Sequence, residues 1–323
     1  MTTETSRRPS TLQVALALLT VYVVWGSTYL GIRVAIETLP PLLMSGVRFV
    51  TAGALLYAFS IRRGDTEGDR PGRAQWLAAL VVGGALLLCG NGGVTWGEQF
   101  VASGLASLLI ATVPLWMVLF ARIILGERLT WPSRAGVVVG FAGLVLLVWP
   151  GRDEAATGFP LGPTLVILTG AACWGWGSVH ARRAFRAPRV PDGRPRPTLG
   201  ARLPSRPLVS TAMQMLAGGS LQLVAGIATG ELPRVDLGAV SGRSIAAFVY
   251  LIVFGSLLAF TAYAWLLRNV RTSLASTYAY VNPVVAVALG WAVLGEPVSA
   301  RSLAAGAVIL AGVALIVQGS RKH

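Results

Sequence analysis

Four small clusters of polar and aromatic side chains interrupt a mostly apolar chain, and each has the spacing of a single helix face. Trp25, Thr28 and Tyr29 fall at i, i+3 and i+4, and Trp174, Gly177 and Ser178 repeat that spacing 149 residues later. Asn91 and Thr95 share a face, as do Tyr278 and Asn282, the latter just before Pro283. Indole and phenol rings offer π faces to cationic groups. A buried carboxamide or hydroxyl must bond a neighbouring helix or a ligand. This chemistry recognises a small molecule without breaking a bond. With Trp96, these residues form the expected lining of a binding cavity, the competing use of Trp and Tyr being to mark the edge of a bilayer.

Groups suited to covalent or ionic chemistry are scarce. All 13 acidic residues stand in expected loops or at helix ends, so no mid-helix carboxylate offers an ion site. Glu98, beside Trp96 and Gln99, is the first candidate if a proton is involved, although its position also suits a solvated loop. Arg48 lies one to two turns inside an apolar run, where it either snorkels to the surface or serves as an interior charge for packing or for an anionic group. His180 ends one run and His323 ends the chain, while Cys89 and Cys173 lie in apolar runs without ligand spacing. The sequence therefore supports no metal site, cofactor or enzymatic activity.

The elements that must position these residues follow from composition. Of 323 residues, 54% are hydrophobic and 12% charged, where soluble domains carry about 25% charged. Ten apolar runs are predicted as spans, at 12–32, 42–61, 75–95, 101–121, 132–149, 161–180, 208–229, 244–267, 272–293 and 301–318. Lacking period-2 alternation, they read as helices, since backbone groups in hydrocarbon must be satisfied internally. The expected fold is an all-α integral membrane protein of the cytoplasmic membrane. The net charge of +14 is distributed over the gaps between runs, which points away from nucleic acid. With the N-terminus inside, 21 of the 27 cations fall on cytoplasmic segments, placing both termini in the cytoplasm. The first run follows Arg7 and Arg8 but exceeds a signal-peptide core and has no small-residue cleavage site, so it reads as an uncleaved helix. The segment 183–207 holds six prolines and one acid among many arginines. It reads as a disordered cytoplasmic loop, with anionic lipid headgroups as its sharper reading.

The chain also repeats itself. An offset of 169 aligns Pro114 with Pro283, Gly126 and Glu127 with Gly295 and Glu296, Gly143 with Gly312, and Trp96 with Trp265. An offset of 149 aligns "WGSTYLGIR" from Trp25 with "WGWGSVHAR" from Trp174. The unit is five helices, and because five is odd the second copy must enter the membrane from the opposite side. Inverted repeats of this kind suit alternating access, because two similar halves can open one cavity to either side. Prolines placed alike in both copies, Pro114 and Pro283, are expected as gating kinks. Gly126 and Gly295 read as left-handed helix caps, with Glu127 and Glu296 opening the next helices. Gly136 and Gly140 read as close-packing residues.

"VVWGSTYLGIRVAIETLPPLLMSGVRFVTAGALL" from Val23, "LIATVPLWMVLFARIILGERLTWPSRAGVVVGFAGLVLL" from Leu109 and "YVNPVVAVALGWAVLGEPVSARSLAAGAVILAGVALI" from Tyr280 resemble EamA-type transporters of the drug/metabolite transporter superfamily. The resemblance covers about 12–149 and 161–318 and implies a ten-helix, 5+5 inverted-repeat fold. For many members it also implies export of amino acids, other metabolites or toxic organic compounds. The long Arg/Pro-rich loop departs from the usual compact link. The expected organisation is a tail at 1–11, repeats at 12–151 and 161–318, and a tail at 319–323, as a monomer or homodimer. A nucleotide-sugar or phosphorylated-sugar exchanger of the same superfamily ranks lower, since such anions need several cavity cations and only Arg48 is at hand. A membrane-embedded enzyme lacks its Asp pair or His set, and a scaffold has no need of matched prolines and polar faces.

Overall fold

Apolar stretches of this length bury their own backbone hydrogen bonds, and every regular element follows from that requirement. A computed structural model describes residues 10–62, 71–126, 130–148, 160–186, 203–204, 206–270 and 272–321. In chain order the helices are α1 (Thr11–Ala35), α2 (Pro41–Arg62), α3 (Arg73–Gly97), α4 (Ser103–Leu125), α5 (Trp131–Val148) and α6 (Leu161–Arg186). They continue with α7 (Pro207–Ala228), α8 (Gly242–Asn269), α9 (Thr272–Ala275 then Tyr278–Leu294) and α10 (Ala300–Arg321). The described residues contain no strand. By length and apolarity α1, α2, α3, α4, α7 and α8 can each cross a membrane, and shorter apolar helical stretches lie at Arg134–Gly143, Val281–Leu294 and Leu303–Gly312. The tails at 1–9 and 322–323, residues 187–202 and 205 of the proline-rich segment, and Glu127 lie outside the described residues.

Local sequence explains the ends. Ser10 caps α1 by accepting from the Gln13 amide at 3.2 Å, while the Gln13 side chain accepts from the Ser10 amide at 3.0 Å, a reciprocal capping box. Gly126 and Gly295 close α4 and α9 with φ of 68° and 65°. These are the left-handed caps expected from their position after apolar runs.

Three helices are not uniformly α. Val21–Trp25 in α1, Gly84–Gly92 in α3 and Leu251–Leu258 in α8 adopt the wider π winding. Such winding is rare and concentrates where a helix must re-aim side chains. The α3 and α8 segments overlap under the 169-residue offset, whereas the α6 counterpart of the α1 segment is ordinary α-helix.

Two helices break. α4 turns at Ala111–Thr112, where Thr112 Oγ1 donates to the Leu109 carbonyl at 2.7 Å. α9 turns at Ser276–Thr277, where Thr277 Oγ1 donates to the Leu274 carbonyl at 2.6 Å. This revises the expectation of a matched pair of proline kinks. Pro114 sits in the first turn after the α4 break, where its missing N–H costs nothing. Pro283 lies inside the second segment of α9, where it removes a ladder bond.

Packing exchanges helices five for five. α2 packs along α7 and α5 along α10; α3 lies on α6 as α8 lies on α1; α4 meets α6 as α9 meets α1. Small residues permit the closest approaches. A Cβ on Gly53 would stand 2.9 Å from the Leu216 amide nitrogen, and one on Gly219 2.9 Å from that of Val50, so α2 and α7 touch backbone to backbone. Between α5 and α10, a side chain on Gly312 would collide with Gly136 and Gly140, the close-packing role expected of that pair.

Candidate functional site: a central aromatic cavity

The π segment of α1 ends on Trp25, and this indole is the hub of the bundle. Its ring lies edge-on to Trp174 of α6 (centroids 5.6 Å apart, planes at 84°) and to Tyr278 of α9 (5.2 Å, 84°). Phe260 and Tyr263 of α8 complete the cage at 5.2 and 4.9 Å. These separations lie in the range where ring quadrupoles attract. Trp25 Nε1 donates to the Gly255 carbonyl at 3.2 Å, anchoring the ring to the π segment of α8. Trp25 and Trp174 are equivalent under the 149-residue offset, so two counterpart residues meet at the centre.

Around this cage lies a cavity of about 60 Å³ lined by Trp25, Thr28, Tyr29, Asn91, Trp174, Tyr278 and Asn282, all among the expected lining, and by Arg48, whose place the sequence left open. Gly90, Val94, Ile32, Ile110 and Phe260 complete the wall.

The polar wall has defined partners. Thr28 Oγ1 donates to the Trp25 carbonyl at 2.6 Å. Asn91 Oδ1 accepts from Ser45 Oγ of α2 at 3.0 Å. In the orientation that satisfies its neighbours, the Asn282 carboxamide nitrogen donates to the Tyr278 and Tyr22 carbonyls at 3.1 Å each, tying α9 to α1. Arg48 is 2% exposed and does not snorkel. Its Nε donates to Ser256 Oγ at 2.7 Å and its guanidinium lies 4.6 Å from the Phe49 ring centroid. Its Nη1 is buried with no hydrogen-bond partner among the described residues. Gly255 makes room for this group, since a Cβ there would stand 2.9 Å from Arg48 Nη2.

Three expected lining residues lie off the cavity. Thr95 is buried and donates to the Asn91 carbonyl at 2.9 Å, one turn behind the wall. Trp96 packs on Phe100 at the end of α3, with centroids 5.0 Å apart. Ser178 accepts from the Tyr263 hydroxyl at 3.1 Å and faces a smaller void on the other side of the aromatic cage. Phe260 and Tyr263 were absent from the expected set. The 169-residue offset would have found Phe260, because it carries Asn91 onto it, but not Tyr263, whose counterpart Val94 was outside the set.

Beyond Tyr29 a wider vestibule of about 430 Å³ opens, lined by Arg33, Ile36, Glu37, Gln99, Leu294 and Glu296. Glu296 spans from the second repeat to cap α4: it accepts from the Ser103 amide at 3.0 Å, Ser103 Oγ at 2.6 Å and the Gly104 amide at 3.3 Å. It is therefore more than the turn residue its sequence context suggests. Glu231 treats α2 alike, accepting from the Leu42 and Leu43 amides at 3.2 and 2.9 Å. Glu98 is no solvated loop carboxylate: it is fully buried at the end of α3, and Arg33 donates to its main-chain carbonyl.

A cavity within a bundle of apolar helices, lined by aromatic rings and polar groups that suit a small molecule, fits a multi-pass membrane transporter. No cluster of three or more metal-ligating side chains occurs among the described residues. The model of the EamA-like transporter family matches residues 12–149 and 199–318, and the chain belongs to that family, within the drug/metabolite transporter superfamily. It is accordingly a multi-pass protein of the cytoplasmic membrane, with the lipid bilayer and small molecules as partners. The uncharacterized inner membrane transporter YedA of Escherichia coli K12 is 39% identical over 306 residues, spanning 94% of this chain and 90% of YedA. A probable terminal-alkyne amino-acid exporter of Streptantibioticus cattleyicolor is 28% identical over 325 residues, 93% of this chain and 92% of that one. A probable amino-acid metabolite efflux pump of Salmonella typhimurium is 26% identical over 319 residues, 95% of each. One crystal structure superposes with a TM-score of 0.66 at 23% identity, covering 97% of this chain and 99% of that chain, a likeness of fold.

Proposed function

We propose that the protein exports small organic solutes bearing a carboxylate and an apolar or amine-bearing body, amino acids foremost, by alternating access around the aromatic cavity. The observation that carries this reading is Arg48. A buried guanidinium with an uncommitted Nη1 on a cavity wall is costly unless something anionic visits it. Trp25, Trp174 and Tyr278 face it with rings that suit an aliphatic or ammonium group. Two relatives named for amino-acid export support the substrate class and the outward direction.

In this reading all ten helices span the membrane as two inverted five-helix repeats, 12–151 and 161–318, with both termini in the cytoplasm. The five-for-five exchange of helix contacts and the bias of cations toward alternate loops support it. The expected loop at 183–207 is shortened by α6, which runs to Arg186, and by α7, which starts at Pro207; the sequence between them then lies on the cytoplasmic side, where its arginines are available to anionic headgroups. The breaks at Ala111–Thr112 and Ser276–Thr277, and the ladder bond missing at Pro283, are where helices would bend as the cavity changes sides.

The test is counterflow in proteoliposomes with labelled neutral, aromatic and basic amino acids. At least one should show saturable exchange. Arg48→Gln should weaken it, because a carboxylate loses its partner, and Trp25→Ala or Trp174→Ala should do the same in folded protein. No exchange with any of the panel would sink the substrate assignment, and unchanged exchange in Trp25→Ala would remove that ring from the cavity.

A further inference from the structure

Glu98 does not line the cavity, yet its placement is costly. It follows the last residue of α3, has no exposed surface, and neither carboxyl oxygen has a hydrogen-bond partner among the described residues. A carboxylate so placed has lost water and gained no hydrogen bond, and binding a proton relieves the penalty. Burial holds its carboxyl well above the usual carboxylate range, the neighbouring Glu296 charge adds to the effect, and Arg33 opposes it.

Each neighbouring element brings a specific group. From α1, Arg33 donates through Nη1 to the Glu98 main-chain carbonyl, and Tyr29 lies one turn earlier on the cavity wall. From the α9–α10 turn, Glu296 adds negative charge while its oxygens cap α4. From α6, Pro163 and Ile167 close over Gly97 with no ionisable group. From α2, Arg48 is committed to Ser256 and the cavity. At the vestibule rim Glu37 and Arg243 form an exposed pair at 4.0 Å.

We propose that Glu98 is a proton-binding site that couples proton movement to transport, linking the vestibule at Glu37, Gln99 and Glu296 to the cavity at Tyr29. The step is a proton equilibrium: a carboxylate oxygen takes up a proton to form a neutral acid, and the same O–H bond releases it later. With the proton bound, Glu296 can stay on the α4 N-terminus. Without it, the buried Glu98 charge repels the neighbouring charge of Glu296, which favours withdrawal of the α9–α10 turn from α4 and opening at the vestibule. The proton and the state of the gate are thereby linked. This deepens the transporter reading and rests on it.

Two measurements decide it. Infrared spectroscopy of the reconstituted protein, stepped in pH and compared in H₂O and D₂O, needs no substrate. A carboxylic-acid carbonyl band should titrate, vanish in Glu98→Gln, and persist with a moved midpoint in Glu98→Asp. A folded Glu98→Gln that keeps the whole titrating band overturns the proposal. In proteoliposomes, a pH gradient is imposed on the labelled amino acids of the counterflow panel. One proton exchanged per solute supports up to about tenfold accumulation per pH unit, and Glu98→Gln should respond less than about twofold. A gradient response equal in the two proteins also overturns it. If no labelled amino acid moves at all, the substrate reading fails while the infrared titration still decides the proton site.

Discussion

Removing the Glu296 side chain should weaken the contact between the two repeats by a calculable amount. Its oxygens accept from the Ser103 amide at 3.0 Å, Ser103 Oγ at 2.6 Å and the Gly104 amide at 3.3 Å. Loss of a helix N-cap costs about 1 kcal/mol. Hydrogen bonds to a charged group contribute about 1.5–3 kcal/mol each when nothing replaces them. The adjoining vestibule admits water that recovers part of this, so Glu296→Ala should cost about 2 kcal/mol, drawing on both ranges. For a large domain 1 kcal/mol moves the melting midpoint by roughly 2–4 °C, which gives a fall of about 4–8 °C. Glu296→Gln keeps one acceptor oxygen and should lose about half as much. Glu37→Ala is the control, since its pair with Arg243 is exposed and 4.0 Å long and contributes below about 0.5 kcal/mol. Tryptophan-fluorescence melting of purified protein in one detergent at one pH measures all three. If Glu296→Ala melts no lower than Glu37→Ala, the cap does not hold the repeats together and the reasoning is wrong.

Gly143→Leu should reduce folded yield in size-exclusion chromatography and lower the melting midpoint. Even a Cβ there would stand 2.8 Å from the Ile309 amide nitrogen, and overpacking costs about 1–3 kcal/mol. Gly126→Ala and Gly295→Ala should each cost about 1 kcal/mol from the left-handed backbone alone, because nothing lies within 4 Å of a Cβ at either site; a large difference between them would point to a cause other than strain. Stability should also fall as pH rises through the Glu98 titration. An acid whose folded value is raised above its ordinary 4.5 binds the proton more tightly in the folded state. Its contribution is then fully present at low pH and lost as pH climbs through the raised value, by at most about 1.4 kcal/mol per pH unit. Glu98→Gln should flatten that slope in melts run across pH.

The helical elements were legible because a long apolar run in a bilayer has one way to satisfy its backbone. The expected runs 42–61 and 301–318 became Pro41–Arg62 and Ala300–Arg321, and Gly126 and Gly295 closed helices where glycine follows an apolar run. The cavity was legible through face spacing: Trp25 with Thr28, and Tyr278 with Asn282, point inward together. Winding was not legible. Whether a residue lies in π or α register depends on what packs against the helix, so Ser178, one turn beyond Trp174 on the α-helical α6, falls outside a cavity that Tyr29 enters. Nor was the burial of Glu98 legible, because the α6 residues that close over the adjoining Gly97, Pro163 and Ile167, lie more than sixty positions away. The same distance hid the Glu296 cap, since Glu296 and Ser103 are 193 residues apart.

Asn91 and Phe260 are equivalent under the repeat, and both line the central cavity. Two identical five-helix units would have to present the same side chain at both places, and a solute bound between them would find either end alike. One continuous chain has no such obligation. It can place a carboxamide on one wall and a phenyl ring on the other while the backbone halves keep their likeness, so the molecule that binds has a head and a tail. The protein thus keeps the likeness of its two halves in how the helices pack and gives it up in the side chains that line the cavity.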